Sequence, residues 1–155
     1  MSATPVAHLN FHGAARSALE FYANAFGGHA VIRTYADFGM PADQPGAQHV
    51  VYGQAFGADG FTVMAYDVPG SSDASAPALP GSTRREHGTT ITDQSFFLAL
   101  GGASLDEVTA YWEALIDGAT VVEPLAASAW SPGFGMLTDR FGVTWSISVV
   151  DPQEA

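Results

Sequence analysis

Leu19-Glu-Phe-Tyr-Ala-Asn-Ala-Phe-Gly-Gly28 and Thr109-Ala-Tyr-Trp-Glu-Ala-Leu-Ile-Asp-Gly118 read as two copies of one unit, about ninety residues apart. Each is the end of an amphipathic helix that carries an aromatic pair, stops at glycine and is followed by a β-branched run. Upstream of each lies a short alternating strand, Val6-Ala-His-Leu-Asn-Phe11 and Ser95-Phe-Phe-Leu-Ala-Leu100. Downstream of each lies a hairpin-like region. A chain that repeats strand, helix, then several strands brings two incomplete sheets together, and the surface between them is where a ligand would sit.

The elements follow from periodicity and turn residues. Ala18, Phe21, Tyr22 and Ala25 fall at three-and-four spacing and predict a helix over 14–26, closed by Gly27-Gly28. Strands are expected over 29–38, His49 to Phe56 and Phe61 to Tyr66, the last two joined across Gly57-Ala-Asp-Gly60. Ser104-Leu-Asp-Glu107 is a capping box for a second helix that runs to about Ile116. Thr120-Val-Val122 is read as a strand ended by Pro124, and a closing hairpin runs from Phe134 to Val149 about Asp139-Arg-Phe-Gly142. The Ser-, Pro- and Gly-rich stretch between the halves, with Arg84-Arg-Glu-His87, reads as a partly mobile connection with solvated arginines. The organisation is thus a first βαβββ module over 1–68, a linker over 69–92 and a second βαβββ module over 93–155. The fold class is α+β: two modules form a curved, cavity-enclosing mixed sheet with the helices outside.

Charge and composition narrow the chemistry. The 155 residues contain no lysine, five arginines and sixteen carboxylates, for a formal charge of −11. A phosphate backbone would be repelled, so nucleic acid is not an expected partner. Without lysine there is no Schiff base and no P-loop; without cysteine there is no thiolate nucleophile, disulfide or Cys-type zinc site. No apolar stretch approaches the roughly 20 residues that span a bilayer, and no signal-peptide pattern opens the chain, so a cytoplasmic protein without membrane partners is expected.

Leu9-Asn-Phe11, Glu20-Phe-Tyr22, Phe26-Gly-Gly28, Met64-Ala-Tyr-Asp67 and the block from Trp130 through Ser-Pro-Gly-Phe-Gly-Met-Leu-Thr-Asp-Arg-Phe-Gly-Val-Thr to Trp145 resemble the vicinal oxygen chelate (glyoxalase/bleomycin resistance/dioxygenase) superfamily, in particular its PhnB-like branch. The resemblance spans most of the chain. It implies paired βαβββ modules in a glyoxalase-like fold, and a homodimer. Many PhnB-like sequences carry the name demethylubiquinone methyltransferase, but no glycine-rich strand-to-helix loop for S-adenosylmethionine is visible here. In metal-using members the resemblance implies four ligands, mostly His and Glu, from the first and last strands of each module. Alignment on helix starts and hairpin glycines puts those positions at Val6, Met64, Ser95 and Ser146, none a good ligand. A shift of two residues keeps the same strand face and offers His8 and Tyr66 in the first half, Phe97 or Ser148 in the second. No metal cofactor is therefore expected.

Individual candidates each carry two readings. His8, on a strand face with Asn10, is a ligand-binding group or general base, or a half-exposed histidine with one hydrogen bond. His49 pairs with it in a two-histidine site completed by Asp67 or Glu123, able to hold a divalent metal such as Zn²⁺ or Fe²⁺, or stands apart on its own strand. Trp130, Phe134, Tyr66 and Met64 line an aromatic pocket, or pack a core or dimer face. Ser95 and Ser146 can hydrogen-bond a ligand without activating water. Asp139 is read as a turn residue. Three functions follow from these readings. The favoured one binds a small molecule in an aromatic-lined cavity without the metal quartet. The alternatives are a metal-dependent lyase, isomerase or dioxygenase at His8 and His49, and a dimeric interaction module whose cavity is filled.

Overall fold

Residues 3–71 and 73–151 are described by a computed structural model. The chain divides into two compact units, Met1–Ala78 and Leu79–Ala155, so the division falls inside the stretch read as a linker. No helix among the described residues is long and apolar enough to cross a membrane.

The first unit runs β1 (His8–Phe11), α1 (Ala15–Ala25), β2 (His29–Thr34), a short 3-10 turn, β3 (Val50–Phe56) and β4 (Thr62–Asp67). Its sheet order is β1-β4-β3-β2, with β1 and β4 parallel and the other pairs antiparallel. Alternation along β1 is strict: Leu9 and Phe11 are buried and His8 and Asn10 are exposed. The helix buries Ala15, Ala18, Leu19, Tyr22 and Ala23. The apolar face is therefore turned slightly from the expected one, with Leu19 and Ala23 replacing Phe21 and Ala25 at its centre. A Cβ on Gly53 of β3 would collide with the Leu19 side chain, so this glycine lets the helix lie close on the sheet. The helix ends in a Schellman motif: Gly27 is left-handed (φ +66°) and Gly28 N–H reaches back to the Ala23 carbonyl at 2.8 Å.

The second unit opens with a hairpin, β5 (Thr83–Glu86) and β6 (Thr89–Thr92), followed by β7 (Leu98–Gly102), α2 (Leu105–Leu115), β8 (Thr120–Ala126), β9 (Phe134–Thr138) and β10 (Thr144–Val149). The four-stranded sheet has the order β7-β10-β9-β8, the same topology as the first unit, and β5 and β6 form a separate two-stranded sheet. Ser104 caps α2 by accepting the Glu107 N–H at 3.2 Å, while Glu107 reaches back to the Ala103 N–H at 2.7 Å. Trp145, Leu137, Ile147, Val108 and Leu115 are fully buried in this unit's core.

Three local readings are corrected here. The 29–38 strand ends at Thr34, because Asp37 accepts the Thr34 N–H and folds the chain into the 3-10 turn Ala36–Phe38. Strand β8 passes through Pro124 instead of ending there. It is an edge strand with register shifts on both sides of Glu123, where a missing N–H costs no ladder bond. Residues 83–92 are not an irregular connection. Glu86 pairs with Thr89 across a two-residue loop in which His87 (φ 50°) and Gly88 (φ 77°) are both left-handed, the geometry of a type I′ turn.

Candidate functional site

Strand pairing decides which side chains share a face. In the first unit His8 pairs with Met64 and Asn10 with Tyr66, so these four project from the sheet face opposite α1. His8 Nδ1 and Asn10 Oδ1 lie 3.1 Å apart, and the His8 and Tyr66 rings meet edge to face at 5.3 Å. Gln54 pairs with Met64 from the other side and extends the same surface. Its amide donates to Thr62 Oγ1 at 2.9 Å and its carbonyl accepts the Tyr52 hydroxyl at 3.0 Å. Gln54, Tyr52 and Thr62 were not singled out in the sequence, although alternation along β3 places Tyr52 and Gln54 on this face and alternation along β4 places Thr62 there. His8 and Asn10 are exposed and Met64 and Tyr66 half-buried, so a phenol, an imidazole, an amide and a thioether are presented together on an accessible surface.

Val6 precedes β1, and Met64 is opposed by His8, two residues further on. His49 sits elsewhere. It lies just before β3, its Nε2 packed 3.5 Å from where a Cβ on Gly13 would stand, beyond the far end of β1. His8 opens that strand, and three residue steps along it cover on the order of 10 Å.

Asp67, offered as a third ligand to a two-histidine site, is 1% exposed and fully engaged. Its Oδ1 accepts the Gly13 N–H at 2.7 Å and the Ala15 N–H at 3.0 Å, and its Oδ2 accepts the Val50 N–H at 2.9 Å. This carboxylate ties the start of α1 to the start of β3. The Tyr35 hydroxyl donates to the Asp67 carbonyl at 2.7 Å. Burial, with Tyr66 and Asp67 nearby, raises the Tyr35 pKa above the usual phenol value, so it stays a donor.

In the second unit Ser146 pairs with Ala99 and with Met136, on the face opposite α2. Ser95 is not on this strand. Strand β7 begins at Leu98, and Ser95 lies in an exposed bend before it. The hairpin of β5 and β6 packs on this same sheet face. Arg85 Nε donates to Glu123 Oε2 at 3.1 Å, its Nη1 to Thr90 Oγ1 at 2.9 Å, and its guanidinium lies 5.3 Å from the centre of the Phe134 ring. Thr90 Oγ1 donates to the Met136 sulfur at 3.7 Å, and Gln94 Oε1 accepts from Thr144 Oγ1 at 2.7 Å. Arg85 and Glu123 are thus partners of each other, where the sequence suggested a solvated arginine and a spare carboxylate. Trp130, 66% exposed, tilts against Phe134 with ring centres 4.8 Å apart. Asp139 behaves as a turn residue, accepting the Phe141 N–H at 2.8 Å, and its other oxygen accepts the buried Trp145 indole N–H at 2.8 Å.

These donors do not fit a four-ligand metal. The strand positions hold His8, Met64, Ala99 and Ser146, of which only His8 is a ligand for Zn²⁺ or Fe²⁺. Among the described residues no group of three or more His, Cys, Asp or Glu lies together in a way that could hold a metal ion.

Comparison with known proteins agrees with this architecture. Residues 7–147 match the family model of the Glyoxalase/Bleomycin resistance protein/Dioxygenase superfamily. Protein YjdN of Escherichia coli (strain K12) is 26% identical over 148 residues, covering 94% of this chain and 95% of that protein. The crystal structure of PA1353 from Pseudomonas aeruginosa superposes with a TM-score of 0.70 at 27% identity, over 97% of this chain and 99% of that one. The PhnB protein from Bacillus cereus shares the fold, with a TM-score of 0.68 at 18% identity, over 96% of this chain and 100% of that one.

Proposed function

This chain belongs to the Glyoxalase/Bleomycin resistance protein/Dioxygenase superfamily, and we propose that it is a small-molecule-binding member that works without the superfamily's metal. One observation carries the reading: His8, Asn10, Met64 and Tyr66 stand together on an accessible sheet face and, among the described residues, hold no structural bond elsewhere that would occupy them all. Imidazole, amide and phenol groups beside a thioether suit a ligand with an apolar body and a few oxygen or nitrogen atoms. The aromatic pair of Trp130 and Phe134 gives the second unit a comparable surface. Binding, rather than a named reaction, is what these groups support, because no nucleophile activated by a base lies among them.

A thermal-shift screen against metabolites and antibiotics, with and without added Zn²⁺ or Fe²⁺, tests this. A ligand should raise the melting temperature equally with and without metal, and Tyr66→Phe with His8→Ala should abolish the rise. A ligand effect that appears only with metal, together with stoichiometric metal in protein purified without chelator, would overturn it.

A further inference from the structure

The first unit also holds a concave site whose lining does not include the residues of the open sheet face. It is a cavity of about 360 Å³ at the end of the sheet where β1 and β4 run out, walled by Tyr35, Met40, Pro45, His49, Pro69 and Ser71. That volume lies at the lower end of the range for small-ligand pockets. Of its polar side chains, Tyr35 already donates its hydroxyl to the Asp67 carbonyl, which leaves Ser71 and His49 to face a guest. The Ser71 hydroxyl shares a hydrogen bond of 2.7 Å with His12 Nδ1, which fixes its oxygen at the rim. When His12 supplies that proton, the Ser71 O–H is left to point at a guest. His49 is the group that stands out. Its ring packs against Gly13 and Gly46, whose absent Cβ atoms would each lie 3.5 Å from a ring nitrogen. Both glycines have positive φ, at +121° and +84°, so the backbone wraps the imidazole at places a larger residue would strain. Among the described residues neither ring nitrogen of His49 has a hydrogen-bond partner.

Among the described residues no acidic side chain lines this cavity, in a chain with sixteen of them. The nearest buried carboxylate, Asp67, is spent on three backbone N–H groups. The remaining wall is methionine, two prolines and the Tyr35 ring, which is apolar and flat enough to receive a ring system.

We propose that this cavity binds an aromatic monocarboxylic acid, its carboxylate accepting from His49 and Ser71 and its ring lying between Met40, Pro45 and Pro69. The site is distinct from the His8 and Tyr66 face, so its occupancy does not depend on the function proposed above. The probe is 1-naphthoate, with the neutral isostere 1-naphthamide, followed by calorimetric titration and by ¹H–¹⁵N spectra of the wild-type chain. The expected result is saturable binding of the acid, about tenfold or more weaker binding of the amide, and a similar loss in His49→Gln. The amides of Gly46 and Gly70 and the His49 ring should shift together on titration. Equal binding of acid and amide, no binding of either, or shifts confined to β1 and β4 would overturn the proposal. Because the spectra use the wild-type chain, a variant that fails to fold does not decide the question.

Discussion

Replacing Asp67 with asparagine separates a structural carboxylate from a ligand-binding one. The two oxygens of Asp67 accept three backbone N–H groups, two from the entry to α1 and one from Val50, which is fully buried. Asparagine keeps the volume but offers one oxygen. If that oxygen stays with Gly13 and Ala15, the new amide NH₂ faces the Val50 N–H, donor against donor. A hydrogen bond to a charged group contributes about 1.5–3 kcal/mol, and a buried N–H left without an acceptor costs about 1–3 kcal/mol. The two figures overlap, so the expected loss is about 2–4 kcal/mol. For a chain of this length each kcal/mol moves the melting temperature by about 2–4 °C, which gives a fall of about 5–15 °C. Differential scanning calorimetry of metal-free protein, checked by the urea midpoint, reads this directly. A drop below about 2 °C would refute the reasoning, because a carboxylate reserved for a metal would leave the metal-free protein almost unchanged.

Other perturbations probe the remaining parts. Glu107 has a pKa held below the usual value by the Tyr111 hydroxyl first and by the Ala103 N–H, so its contribution is complete above the unfolded-state pKa of about 4.3 and is lost as pH falls through the lower folded value. Melting temperature should therefore fall more steeply below about pH 4.3 in the wild type than in Glu107→Gln. Arg85→Ala removes the bonds to Glu123 and Thr90 and the contact with Phe134, and should cost about 1–2 kcal/mol in urea unfolding. In that variant, hydrogen exchange should rise in β5 and β6 before it rises in β9 and β10. Trp130→Ala should change stability by less than about 0.5 kcal/mol, as expected for an exposed ring, while weakening any ligand that uses the Trp130 and Phe134 pair. A stability loss well above that in calorimetry would assign the indole to packing.

Helix periodicity, glycine stops and the Ser104 cap were legible because they are local: a turn of helix or a left-handed glycine declares itself within a few residues. The turn role of Asp139 was legible for the same reason, since its carboxylate bonds a backbone N–H two residues on. Ser95 was misplaced because a parallel strand takes its start from a partner far along the chain. Strand β7 is positioned by its pairing with β10, and the Ser95-Phe-Phe alternation falls before that pairing begins. The hairpin over 83–92 did carry a signal. Thr89-Thr-Ile-Thr92 is β-branched throughout, and it follows His87-Gly88, a dipeptide suited to two left-handed positions. The surrounding serine, proline and glycine masked it. Its partners, Glu123 and Phe134, lie far along the chain, so nothing nearby in the sequence pointed to them.

The duplication therefore produces two like scaffolds with unlike faces. Both sheets share the strand order in which first and last strands run parallel, and both lay a helix on one side. On the opposite side the first sheet leaves His8, Asn10 and Tyr66 accessible, whereas the second is covered by its own hairpin, with Met136 only 2% exposed and Thr144 fully buried. A polar group on a covered face must be satisfied internally, and Thr90, Gln94 and Arg85 do this for Met136, Thr144 and Glu123. A polar group on an open face is satisfied by water and can exchange that water for a ligand at little cost. Among the described residues of the first unit, His8, Asn10 and Tyr66 keep access to solvent, where exchanging water for another partner costs least.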